Sequence, residues 1–188
     1  MRRIVPVILL IMLIIPFCAF GGDADPINKG VFSQSIQIEP LSMIASDFSL
    51  KYEILFNQKH GFVFDGSLMR SSTMHGSSFG VSYRKHRRGT MGGGFWGVFI
   101  RSNDYRNIIK DDDTKYPYTM KSLVFGPNIG KRWIFWERWS IVWRVGYGYP
   151  VMDFKWENGR PSDSGKLIEA ITKFGEGMDA EISFGFCL

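Results

Sequence analysis

The chain of 188 residues is 45% hydrophobic, 22% charged and 15% aromatic, with 21 glycines. That mixture is too apolar for a disordered segment and suits one domain with a sizeable core. The formal charge of +5 includes Arg2 and Arg3 of an N-terminal segment expected to be removed. Without them the balance is only mildly basic. No stripe of Lys and Arg interleaved with aromatics follows one element, which sets nucleic-acid binding aside. Sixteen Phe, seven Tyr and six Trp favour strands and wet-to-apolar boundaries over a helix bundle, and no constellation of residues names a reaction.

Arg2 and Arg3 precede an apolar run over residues 4–17, and the small residues Ala19 and Gly21 come before the polar stretch with Asp23, Asp25 and Asn28. This is the layout of a secretory signal peptide over residues 1–21. The run is shorter than the roughly 20 apolar residues a spanning helix needs, and it carries Pro6 and Pro16. Residues 22–30 are expected to form a short N-terminal segment before a single domain over 31–188. Removing the signal removes Cys18 and leaves Cys187 alone, so neither a disulfide nor a cysteine-based zinc cluster can be assembled.

From residue 31 onward, apolar residues recur at every second position in eight segments, the period that lines one face of a strand. In chain order these are 31–41, 48–57, 62–70, 77–86, 94–101, 121–133, 139–149 and 180–188. In 48–57, Phe48, Leu50, Tyr52, Ile54 and Phe56 share a face opposite Ser49, Lys51 and Glu53. In 139–149, Trp139, Ile141, Trp143, Val145, Tyr147 and Tyr149 oppose Ser140, Arg144, Gly146 and Gly148. In the last segment Ala180, Ile182, Phe184, Phe186 and Leu188 oppose Glu181, Ser183, Gly185 and Cys187. Connections alternate in length: 42–47, 71–76, 102–120 and 150–179 lengthen toward the C-terminus, whereas 58–61, 87–93 and 134–138 stay short. Residues 166–174 could form a short helix within the last long connection.

An even number of strands of about 9 to 11 residues, joined by alternately short and long turns, matches an all-β, eight-stranded antiparallel up-and-down transmembrane β-barrel. A soluble sandwich or a periplasmic lipocalin-like binding barrel would alternate too. Two details favour the membrane. The less apolar face is rich in Gly and Ser, which suits a narrow lumen filled by side chains of limited volume. Trp133, Trp136, Trp139, Tyr147 and Tyr149 cluster near strand ends, where an aromatic girdle would sit.

On strand number, loop alternation and the aromatic C-terminal strand with Phe184 and Phe186, the chain from about residue 31 resembles the small eight-stranded outer-membrane β-barrel proteins of Gram-negative bacteria, the OmpA/OmpX-like and OmpW-like group. The resemblance implies location in the outer membrane, contact with its lipid and insertion by the barrel-assembly machinery. It implies recognition through Phe184, Phe186 and Leu188, although that family typically ends on an aromatic residue and this sequence reads Phe186, Cys187, Leu188.

The alternation turns Lys51, Glu53, Asp65, Arg84, Arg144 and Glu181 into the lumen, where opposite charges should pair because an isolated buried charge is costly. Arg144 with Glu181 is the leading pair and Lys51 with Asp65 the next. A structural ion-pair network filling a closed barrel is preferred over a charged pore. His75, Gly76 and Ser77 form an H-x-S triplet resembling the His and Ser of outer-membrane lipid A deacylases, with Ser77 on the lipid side. No acid is convincingly placed to orient the His. His60 and His86, with Arg84, Lys85, Arg87 and Arg88, read as a solvated basic rim near the short turns or as a contact for anionic lipid headgroups or cell-wall polymer. Gly92, Gly93 and Gly94 read as a flexible turn, and Asp111, Asp112 and Asp113 as an exposed acidic loop without EF-hand spacing. The expectation is a non-enzymatic barrel with a structural or surface-interaction role, its outer loops free to meet a surface ligand, with no cofactor and no metal. The alternatives are a lipid-modifying enzyme and a soluble binding barrel.

Overall fold

A computed structural model describes residues 32–44, 46–57, 59–88, 90–111, 114–157, 159 and 164–188. The expected signal peptide and the segment 22–30 lie outside the described residues.

The chain forms β1 (Gln34–Ile38), α1 (Pro40–Ile44), β2 (Asp47–Phe56), β3 (His60–Arg70), β4 (Met74–His86), β5 (Gly93–Asp111), β6 (Thr114–Phe135), β7 (Trp139–Tyr147), β8 (Tyr149–Trp156), α2 (Ser164–Gly177) and β9 (Met178–Cys187). Each strand pairs antiparallel with its neighbours in the order β5-β4-β3-β2-β1-β9-β7-β6, and β5 pairs with β6, so the sheet closes on itself. β7 and β8 pair with successive stretches of β6, Asn128 to Phe135 and Tyr118 to Phe125, and are two halves of one stave interrupted at Gly148. The barrel therefore has eight staves. Its seam joins β1 to β9 from Ser35 opposite Cys187 to Ile38 opposite Phe184.

Several sequence-based boundaries change. The segment 31–41 holds a strand only from Gln34 to Ile38, because Pro40 removes a ladder donor and opens α1 instead. The connection 102–120 is mostly strand: β5 and β6 run on as a hairpin to Asp111 opposite Thr114, and Asp112 and Asp113 lie outside the described residues. Hydrophobic alternation fades there because Ser102, Asp104 and Arg106 on the outer face are polar and exposed. The stave expected over 139–149 continues to Trp156, and the helix expected over 166–174 spans Ser164–Gly177. Beyond Tyr147 the ladder with β9 stops, and α2 takes its place beside β8, with Trp156 Nε1 donating to Glu169 Oε1 at 3.0 Å.

The β2–β3, β4–β5 and β6–β7 turns, the set expected to be short, gather at one end of the barrel. That between β6 and β7 puts Trp136 and Glu137 at φ 45° and 68°, the left-handed conformation a tight hairpin demands. The other end carries α1, the projecting β5–β6 hairpin, α2 and the β3–β4 turn, which β4 shortens from the expected 71–76 to 71–73 by starting at Met74.

Polarity is inverted relative to a soluble domain. Large apolar side chains stand exposed on the outer wall, among them Phe48, Leu50, Phe64, Phe79, Val98, Ile100, Phe125, Ile129, Val145 and Val151, whereas Lys51, Glu53, Arg84, His86, Arg132, Arg144, Asp179 and Glu181 are buried within.

Candidate functional site: the charged lumen

Side chains two apart share a face, so Lys51 and Glu53 on β2, Arg84 and His86 on β4, and Asp179, Glu181 and Ser183 on β9 all project into the same narrow space. The register then sets their heights. Glu53 is fully buried and gathers Arg84 Nη1 at 2.9 Å, Arg132 Nη2 at 2.5 Å and His86 Nε2 at 2.9 Å, with Gln37 Nε2 at 3.4 Å. Glu181 meets Lys51 Nζ and Arg144 Nε at 3.0 Å and Arg84 Nη2 at 3.3 Å, and accepts from Ser183 Oγ at 2.6 Å. Asp179 accepts from Arg144 Nη2 at 2.9 Å and Asn128 Nδ2 at 3.1 Å. Signs therefore alternate along the barrel in the series Glu53, Arg84, Glu181, Arg144, Asp179. Each charge removed from water meets an opposite one, which offsets a desolvation cost otherwise worth several kcal/mol per ion.

Toward the short-turn end, Arg84 lies over the Phe95 ring at 4.4 Å and the His86 ring stands 5.6 Å from Phe95. Leu55, Met91 and Cys187 form a small apolar cluster beside them, with Phe32 and Ile134 packed against it. Toward the loop end a cavity of ≈ 190 Å³ opens, lined among others by Glu39, Asp47, Asp65, Arg101, Asn103, Arg144, Glu176 and Asp179. Glu176 of α2 reaches into it and accepts from Asn103 Nδ2 at 2.5 Å and Ser122 Oγ at 2.7 Å. In the projecting hairpin, burial pushes the Tyr118 phenol above its ordinary value, partly countered by its hydrogen bond with Asn107.

The six lumen candidates all come to the inner face, Asp65 being only half-buried. Arg144 and Glu181 stand opposite each other in the ladder and form an ion pair at 3.0 Å. Lys51 stands opposite Asp65, yet its ammonium goes to Glu39 and Glu181, so the expected second pairing is replaced. His86 also differs from expectation. It is buried 1% exposed in the network rather than solvated at a turn, while Lys85, Arg87 and Arg88 are exposed and half-buried His60 lies 2.5 Å from Tyr83 Oη. Gln37, Arg132 and Asp179 had no place in the sequence-based network. Arg132 shares the parity of Asn128 and Gly130, and that phase was the signal that could have found it.

On the outer wall, Trp133 and Trp139 lie at the short-turn end and Tyr147 and Tyr149 toward the loop end, while Trp136 stands exposed in the β6–β7 turn. Trp139 packs on Phe184 and Phe186 at centroid distances of 5.2 and 5.3 Å, and Leu188 is exposed, its N–H donating to Gln34 O at 2.8 Å. His75 and Ser77 also face outward, beside a groove of ≈ 750 Å³. Ser77 stands opposite Leu68 and Asp104. Among the described residues Asp104 pairs with Lys121 at 3.1 Å.

This geometry defines the class: a closed eight-stranded antiparallel barrel, apolar outside and charged inside. Among solved structures it is similar to the N-terminal β-barrel domain of Pseudomonas aeruginosa OprF, at 14% identity over 85% of this chain and 100% of that one, with a TM-score of 0.48. It is also similar to Acinetobacter baumannii CarO, at 10% identity over 85% of this chain and 97% of that one, with a TM-score of 0.44. No family model and no curated protein matches the chain.

Proposed function

We propose that the protein is a non-enzymatic outer-membrane β-barrel with a structural or surface-interaction role, its lumen sealed by polar side chains. The observation that carries this reading is the inverted polarity, with a belt of exposed Phe, Leu, Ile, Val, Trp and Tyr around a wall that encloses paired charges. In water such a belt would drive aggregation; in a bilayer it is the solvated surface. In this reading residues 1–21 direct export and are cleaved, and the barrel-assembly machinery inserts the remainder, reading the strand that carries Phe184, Phe186 and Leu188. Trp133, Trp136, Trp139, Tyr147 and Tyr149 anchor the wall at the two interfaces, and the loop end faces outward, where it can meet a surface ligand. The charge series from Glu53 to Asp179 supports a filling role over a conducting one.

Fractionation of cells expressing the full chain tests this. The expected result is recovery in the outer membrane, with slower gel migration after boiling than before. Recovery in the soluble periplasm, with no dependence of migration on heating, would overturn the reading.

A further inference from the structure

Helix α2 is amphipathic, and its polarity runs opposite to that of a helix docked on a soluble core. Its half-buried residues are Ile168, Glu169, Thr172 and Glu176, the three polar ones spaced about one and two turns apart, and two of those bond the barrel: Glu169 accepts from Trp156, and Glu176 from Asn103 and Ser122. The opposite face carries Leu167, Ile171 and Phe174, 63%, 62% and 63% exposed, at the i, i+4, i+7 spacing of one stripe. A soluble protein would turn those faces the other way round. At its C-terminal end the stripe adjoins the outer apolar wall. The Phe174 ring lies 6.0 Å from that of Tyr147, Lys173 Nζ sits 5.9 Å over the Tyr149 ring, and the Gly177 carbonyl accepts from Gly148 N–H at 2.7 Å, fixing the helix end to the barrel rim.

We infer that α2 lies in the outer-leaflet interface of the bilayer, with Leu167, Ile171 and Phe174 among the lipid acyl chains and Glu169 and Glu176 holding it to the barrel. The occupant of the exposed stripe is therefore lipid, because the surface it adjoins is the one the membrane covers. Interfacial helices use this arrangement of one apolar stripe under a polar face. The inference deepens the membrane reading and rests on it. Its consequence is a barrel with a lateral foot at the β8 side, which ties the last loop to the leaflet instead of leaving it free in water.

The test is site-directed spin labelling of the mature full chain in phosphatidylcholine vesicles. Labels are placed singly by Leu167→Cys, Ile171→Cys and Phe174→Cys in a Cys187→Ser background, and each variant is first checked for heat-dependent gel mobility. Val98→Cys in the mid-wall and Ser72→Cys in a loop serve as lipid and water references. The expected result is that oxygen relaxes the three helix labels more than a water-soluble nickel chelate does, as at residue 98 and inverted at residue 72. Helix labels that follow residue 72 while residue 98 reads as lipid would overturn the helix placement and leave the barrel reading standing. Helix labels shielded from both relaxers would overturn it as well, since protein and not lipid would then cover the stripe. A water-like reading at residue 98 would overturn the membrane reading and the helix placement together.

Discussion

Arg84 and Glu53 come from strands that are not neighbours, β4 and β2, and meet inside the barrel with the guanidinium donating to the carboxylate at 2.9 Å. Glu53 also serves Arg132 and His86, so it is the anion on which three basic groups converge. Removing it strands those groups without water. Glu53→Ala is expected to cost about 3–5 kcal/mol, the range for breaking a buried pair from one side. Glu53→Gln, which keeps an oxygen acceptor, should cost less. Urea unfolding in detergent micelles, followed by tryptophan emission and by gel migration, measures both, and an unchanged midpoint for Glu53→Ala would remove the network from the account of stability.

The same network predicts electrical silence. Around Glu53 the section of the lumen is occupied by Arg84, Arg132, His86 and Phe95, and the cavity of ≈ 190 Å³ lies toward the loop end. The purified barrel in planar bilayers is expected to give no steady conductance steps. Regular steps at the single-molecule level would mean that the plug moves.

Trp136 and Glu137 both occupy the left-handed region, which costs side chains other than glycine roughly 1–3 kcal/mol when held there. Glu137→Gly should therefore stabilise the barrel by about 1 kcal/mol, against the usual trend for glycine substitutions. A rise in the urea midpoint checks this.

Gly148 sits where β7 passes to β8, and a Cβ there would fall 2.8 Å from the Phe125 carbonyl oxygen and 2.9 Å from the Phe99 ring. Gly148→Ala should cost about 1–3 kcal/mol through forced backbone displacement. Because Gly148 N–H also holds the Gly177 carbonyl, faster amide exchange in α2 should accompany the loss.

Cys187 is buried in the apolar cluster, with no exposed surface. In a chain carrying Cys18→Ser, it should resist maleimide in the folded barrel and react fully after boiling. Labelling of the unheated protein would place the thiol outside.

The barrel itself is legible because an apolar outer face on one side of a strand and packed polar groups on the other impose a strict period of two. That period set the faces of Phe48 to Phe56 against Lys51 and Glu53, and of Ala180 to Phe186 against Glu181. It fails where both faces are polar: Asn103, Tyr105 and Asn107 turn inward in the projecting hairpin, but their outward neighbours are polar too, so the segment reads as loop. Alternation reports the solvent on each side, not the strand. Parity set the face of the lumen residues, but partner choice depends on side-chain reach. Lys51 has a long arm and finds Glu39 and Glu181 in place of the directly opposed Asp65. His86 departs from expectation because its exposed basic neighbours Lys85, Arg87 and Arg88 suggest solvent, although its parity is that of Arg84.

The seam between β1 and β9 is the shortest ladder of the ring, running only from Ser35 to Ile38 against Phe184 to Cys187. It joins segments from opposite ends of the barrel sequence, so its closure carries the largest chain-entropy cost and the fewest bonds to repay it. Every other stave can zip onto a sequence neighbour beforehand, or onto β9 once that strand has arrived. The barrel should accordingly assemble as an open, curling sheet that latches last at this line, and the same line is where it would first come apart.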